Sequence, residues 1–225
     1  VQANLRYDQL DTWATDTTLS ATQWDIHQVP AALKGVAPEN LAFLYRLAKH
    51  LKEDRIAVRG KPEMGNRPDF NIKLVGNEDR EPTGNEVVSI SVRERGAPLD
   101  VLVAEAMIFA NSTWGKMLAD MGVPGIYRSQ TIGKGMKVRM GSKPLPHAGM
   151  GVNCYAWCTS PLRRYVDLIN QWQLIACVQN GATAALVAPF KQKDAVLFGI
   201  IATFEEVYAA YNAVQRQLEL YWTLR

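Results

Sequence analysis

Hydrophobic and polar positions alternate along this chain with periods that change from segment to segment. From Pro38 to about Ile56, Leu41, Leu44, Tyr45, Ala48 and Leu51 recur at helical spacing, and Pro38 stands in the first turn, where its missing N–H costs nothing. Residues 70–75 and 86–92 alternate or run β-branched. The polar stretch between them, with Pro82 and Gly84, predicts a hairpin. A helix is predicted next from about Leu99 to Met121, closed by Gly122 and by Pro124 beyond it. Another runs from Pro161 to about Gln179 and stops at Asn180-Gly181. The last extends from about Lys191 to the end of the chain, with Leu197, Ile201, Phe204, Tyr208, Tyr211 and Leu218 on one apolar stripe. The pattern predicts an α+β fold with mixed or antiparallel strands packed against several helices and a helix-rich C-terminal half.

Composition narrows the class. The 225 residues are 48% hydrophobic and 21% charged, which is the profile of a folded domain with enough length to bury a core without disulfides or a structural metal. Cys154, Cys158 and Cys177 are odd in number and lack C-x-x-C spacing, so a disulfide framework and a zinc site are not expected and a reducing compartment, the cytoplasm, is. No apolar run reaches the roughly 18 residues of a membrane span, and no basic-then-apolar leader opens the chain. Val1 stands where an initiator methionine would be, and the final residues still read as helix. The expectation is a piece of a larger protein.

The net charge is only +3, but its distribution is uneven. Between Asp120 and Asp167 no acidic residue occurs, while Arg128, Lys134, Lys137, Arg139, Lys143, Arg163 and Arg164 all do. Such a run is often a solvated loop. Here Gly133, Gly135, Gly141, Gly149 and Gly151 allow close backbone approach, and Tyr127, Tyr155 and Trp157 offer stacking faces, a mixture suited to a single-stranded nucleic acid.

Within this stretch, Ser160 reads as an N-cap and Pro161 as a first helical residue, which puts Arg163 and Arg164 in an opening turn. Two cations there oppose the helix dipole unless an anion is shared between the free N–H groups and the guanidinium forks, and a phosphate meets that requirement best. The plainer reading pairs Arg163 with Asp167 at i,i+4. On these residues alone the two weigh equally; the acid-free basic loop favours phosphate. Glu105 is the second candidate, because Val101, Leu102, Ile108 and Phe109 surround it on its helix. A carboxylate in that setting is either a buried strut with a basic or backbone partner or part of a site. His27, His50 and His147 show no metal or triad spacing.

Several of these segments together resemble a known family. Gly149-Met150-Gly151 followed by Tyr155-Ala156-Trp157-Cys158-Thr159-Ser160-Pro161-Leu162-Arg163-Arg164-Tyr165-Val166-Asp167 resembles the late signature of the ribonuclease II / ribonuclease R (RNB) catalytic domain. Arg6-Tyr7-Asp8, Arg67-Pro68-Asp69-Phe70, the segment from Val103 to Asn111, and Gly125-Ile126-Tyr127-Arg128 are similar to earlier segments of the same domain, in the same order. The likeness covers nearly all of residues 1–225, as the later portion of one RNB catalytic domain.

The resemblance implies a hydrolytic 3′-to-5′ exoribonuclease that uses Mg²⁺ and releases nucleoside 5′-monophosphates from single-stranded RNA. It gives Arg163 the scissile or adjacent phosphate, Tyr7 the RNA near its last nucleotides and Glu105 the 3′-terminal nucleotide. Arg164, Ser160, Tyr155, Arg139 and Lys137 complete the expected RNA contacts. The family's clustered metal-binding aspartates are absent, since no two aspartates are adjacent in the chain. Two-metal chemistry needs carboxylates that hold ions about 4 Å apart. The Mg²⁺ ligands are therefore expected upstream of Val1, in a further part of the same polypeptide, with no metal site in this chain. The alternative is an RNA-binding module without activity.

Overall fold

The structure, a computed structural model, describes residues 4–25, 27–33, 35–61, 69–75, 83–84, 86–93, 96–131 and 137–224, the side chains of Tyr7, Asp8, Asp69, Asn71 and Arg93 excepted. Two short helices open it, α1 (Tyr7–Leu10) and α2 (Asp16–Ser20). Thr15 caps α2, its hydroxyl accepting the Thr18 N–H at 3.1 Å. The first predicted long helix is α3 (Pro38–Arg59), closed by Gly60 in the left-handed conformation, which a residue with a Cβ adopts only at a cost. Its Leu41 and Tyr45 bury against Leu10, Leu19, Leu33 and Leu99 in one apolar cluster.

The predicted hairpin is β1 (Asp69–Val75) paired antiparallel with β2 (Val87–Arg93), in a register running from Asp69 opposite Arg93 to Val75 opposite Val87. Arg67 and Pro68 lie outside the described residues. Helix α4 (Pro98–Asp120) matches its predicted span to within a residue at each end. Beyond it, β3 (Tyr127–Ser129) and β4 (Arg139–Gly141) form a second antiparallel pair with Arg128 opposite Met140. Lys134, Gly133 and Gly135 lie outside the described residues.

Three helices complete the chain: α5 (Tyr165–Asn180), α6 (Ala184–Val187) and α7 (Ala195–Leu224). Two expectations are corrected here. Helix α5 begins at Tyr165, because residues 160–164 close instead as a separate turn in which the Arg163 and Arg164 N–H groups both donate to the Ser160 carbonyl, at 3.2 and 3.0 Å. Arg164, with an extended backbone, takes the cap position foreseen for Ser160. Helix α7 begins at Ala195, where Asp194 accepts the Val196 N–H at 2.8 Å and the Leu197 N–H at 3.3 Å as a helix cap.

The interior is assembled around α5. Leu174 and Cys177 pack with Leu118, Val123, Tyr127 and Cys158, while Val166 and Ile169 pack with Ile126, Tyr155, Trp157, Leu197 and Ile201. Only the first half of the α7 stripe is used. Leu197 and Ile201 are buried, whereas Tyr211, Val214, Leu218 and Tyr221 are more than half exposed. Among the described residues no helix is long and apolar enough to cross a membrane.

Candidate functional site

The segment from Cys154 to Arg164 has almost no regular structure, yet it is held from both sides by buried amides. Asn111 of α4 donates from Nδ2 to the Tyr155 hydroxyl at 3.1 Å and to Thr159 Oγ1 at 3.2 Å, and its Oδ1 accepts the Cys158 N–H at 2.9 Å. Asn170 of α5 donates to the carbonyls of Ile126 and Trp157 at 2.9 and 2.8 Å and accepts the Ile126 N–H at 2.7 Å. Gln171 donates to the Cys158 carbonyl at 2.7 Å. A loop that cannot satisfy its own backbone is thus satisfied by side chains of two helices, which fixes where the turn at 160–164 stands.

The two neighbouring arginines of that turn are placed differently. Arg164 lies with its guanidinium 4.0 Å from the Trp157 ring centroid and bonds Asp167 Oδ1 at 2.7 Å. Asp167 is fully buried and accepts the Ser160 N–H on the same oxygen at 2.9 Å. The acid pairs with Arg164 at i,i+3, not with Arg163 as the plainer reading of the sequence had it. Arg163 is exposed, and among the described residues its side chain has no hydrogen-bond or ion-pair partner. Cys158, beneath this turn, is pushed up to about 12, chiefly by burial and further by Asp167, so it stays a thiol and offers no nucleophile at neutral pH.

A second buried cluster fastens the glycine loop. Arg55 of α3 and Glu105 of α4 form a bidentate pair, with Nε donating to Oε2 at 2.8 Å and Nη2 bonded to Oε1, and a further Arg55 N–H meets the Met150 carbonyl. Arg59 donates to the Gly149 carbonyl at 2.9 Å. Gly151 has φ +69°, and a Cβ there would stand 2.2 Å from the Arg55 carbonyl oxygen. The close approach expected of Gly151 therefore serves α3, while a Cβ at Gly149 would meet the Gln130 side chain and Gly141 has open space around it.

Ser160, Arg163, Arg164 and Tyr155 are brought together by the motif segment. Arg139 on β4 and Lys137 just before it are exposed. Tyr7 begins α1, and its side chain lies outside the described ones. The stacking faces expected of Tyr127, Tyr155 and Trp157 are not available, since all three rings are interior. Tyr155 contributes instead through its hydroxyl, to Asn111. Glu105 is buried and paired, as the strut reading requires. Sequence reasoning missed Asn111, Asn170 and Arg55. For Asn111 the signal that singled out Glu105 was present, with Met107, Ile108, Gly115 and Leu118 on the same helical face.

Among the described residues, no group of three or more His, Cys, Asp or Glu side chains could hold a metal ion. They do not fit a two-metal centre.

The RNB domain family profile matches residues 1–140 and 133–180, and the chain belongs to this family of exoribonucleases. An uncharacterized ribonuclease of Synechocystis, sll1290, is 27% identical over 165 residues, which is 62% of this chain and 23% of that protein. Exoribonuclease 2 of Vibrio parahaemolyticus is 49% identical over 39 residues, 17% of this chain and 6% of its own length. The chain thus spans less than a quarter of these relatives. Two solved structures share the fold. An active-site mutant of the Dss1 exoribonuclease from Candida glabrata has a TM-score of 0.73 at 21% identity, covering 98% of this chain and 30% of that one. Mycoplasma genitalium RNase R in complex with ribose-methylated single-stranded RNA has a TM-score of 0.59 at 16% identity, covering 96% and 39%.

Proposed function

We propose that this chain is the RNA-gripping portion of a hydrolytic 3′-to-5′ exoribonuclease domain acting in the cytoplasm. The observation that carries this reading is the contrast within one turn. Arg164 is spent on Trp157 and Asp167, and Arg163 is presented to solvent with its donors free at the end of an acid-free basic stretch. A guanidinium fork so placed suits a phosphodiester of single-stranded RNA, with Arg139 and Lys137 adding positive charge along the backbone.

In the reaction, water adds to the 5′-phosphate of the last nucleotide. The bond from phosphorus to the preceding 3′-oxygen breaks, giving a nucleoside 5′-monophosphate and an RNA shortened by one. Arg163 holds the phosphate oxygens in line and meets the charge that grows on them. Arg164 and Ser160 keep the turn in place, and Tyr7 lies along the path of the last nucleotides. For Glu105 the bidentate pair with Arg55 favours the strut over a contact to the terminal sugar. Mg²⁺, which the described residues do not fit, would be held by carboxylates on a further part of the polypeptide and would there supply Lewis-acid activation of the water.

The test is digestion of a 5′-labelled single-stranded RNA with Mg²⁺, by this chain alone and with the upstream aspartate-bearing segment added. Binding without cleavage by the chain alone, and stepwise shortening from the 3′ end on addition, is the expected result. Binding that never becomes cleavage would make this a non-catalytic RNA-binding module. Nucleotide release by the chain alone would overturn the placement of the metal ligands.

A further inference from the structure

Arg128 on β3 has no role in the reading above. It is part-buried, with its guanidinium 4.1 Å from the same Trp157 ring that Arg164 covers. Among the described residues it makes no side-chain hydrogen bond and no ion pair. Burial, first, and then the charge of Arg164 push its pKa downward, while Tyr208, Tyr155 and the Glu205 carboxylate act in the opposite direction.

This guanidinium lines a cavity of about 420 Å³ between the β3–β4 pair and α7, together with Met140, Glu205, Tyr208, Asn212 and Arg216. Glu205 helps to build the cavity. Its Oε1 accepts the Met140 N–H at 2.9 Å, fastening β4 to α7, and it forms no ion pair with either arginine among the described residues. Stacking on Trp157 covers a face of Arg128 and leaves its in-plane N–H donors available. Two guanidiniums, a phenol and an amide line this one space, beside the Glu205 carboxylate that is engaged with the Met140 N–H. The Tyr208 ring is stacked on Phe204 and met edge-on by Trp157, so the cavity suits an oxyanion better than a base.

We propose that this cavity is a second anion subsite, in which Arg128 and Arg216 hold a backbone phosphate of single-stranded RNA one or more nucleotides away from the phosphate at Arg163. The inference rests on the RNA reading given above. Because Arg128 and Arg164 share one aromatic ring, the cavity adjoins the 160–164 turn, and a strand gripped at Arg163 can continue into it.

The experiment measures binding of a fluorescent ten-residue oligouridylate to the full 225-residue chain over a range of salt concentrations, beside an NMR titration with inorganic phosphate that follows the Arg128 and Arg216 Nε–H signals. Arg216→Gln, at an exposed position, is the first variant and Arg128→Lys the second. Arg216→Gln should weaken RNA binding roughly threefold to tenfold and lower the slope of log K against log salt by about 0.7, the share of one phosphate on a single strand. Phosphate should shift both arginine signals. Unchanged affinity and slope in Arg216→Gln, with loss in Arg163→Gln, would overturn the subsite and leave the RNA reading intact. Phosphate shifts without any RNA binding by the wild-type chain would overturn the RNA assignment of the cavity and the reading beneath it. Failure of phosphate to move either signal would overturn the anion site itself.

Discussion

Arg55 and Glu105 stand fifty positions apart on two helices and meet in a bidentate pair that is almost wholly buried. Through the Met150 carbonyl the same guanidinium also sets the glycine loop, so one contact ties three segments together. Glu105→Gln keeps the shape and removes the charge, so the buried Arg55 loses the carboxylate that faces it. Breaking one side of such a pair costs about 3–5 kcal/mol, so the melting temperature should fall by on the order of ten degrees. An unchanged melt together with altered handling of the 3′-terminal nucleotide in the complete enzyme would assign the carboxylate to the substrate instead.

Asn111 should act as a positioning residue for the turn that carries Arg163. Asn111→Ala removes three hydrogen bonds and strands the Cys158 N–H in the interior, at a cost of about 1–3 kcal/mol for each group left unsatisfied. Below its lowered melting point the variant should still bind RNA several-fold more weakly than the parent. RNA affinity equal to the parent in the folded variant would reduce Asn111 to a purely structural residue.

Arg163 and Arg164 should separate cleanly. In the complete enzyme Arg163→Lys keeps the charge and loses the fork, so single-turnover cleavage should slow by a factor on the order of a hundred while the melting temperature holds. Arg164→Lys should do the reverse, with little change in rate and a lower melting temperature from the lost stack on Trp157 and weaker grip on Asp167. Equal rate losses in the two variants would make the turn a general basic patch.

His147 supplies a pH signature. Burial and the nearby Arg128 hold its pKa below the ordinary 6.5, and its Nδ1 is buried without a partner among the described residues. The unfolded chain takes up the proton more readily, so the stability contribution is complete above the unfolded pKa and is lost as pH falls below it. Melting temperature should decline from pH 7.5 to 5.5, with a slope of at most about 1.4 kcal/mol per pH unit from this group. His147→Gln should flatten that decline; a parallel curve would place the dependence elsewhere.

The long helices were legible because their apolar spacing and their stops are local, as the limits of α4 show. The start of α5 was not, because Asp167 reaches back to Ser160 and Arg164 through its side chain and lets the chain turn before the helix begins. Aromatic residues in a basic, glycine-rich stretch read as stacking faces, and only the packing of Trp157 against Phe204 and Tyr208 from α7 reveals that ring as interior. The partners of Asn111 and Arg55, and the Ile126 backbone held by Asn170, lie more than forty positions away, where no local pattern points.

The amides of Cys158 and Ile126 donate to the side-chain oxygens of Asn111 and Asn170 and not to any helix or ladder. Deuterium uptake at these two positions will therefore follow the slow opening of α4 and α5, although the segments themselves look like loops. If Arg163 receives RNA as proposed, the strand would meet a surface that is already ordered, and little of the binding free energy would have to go into arranging it.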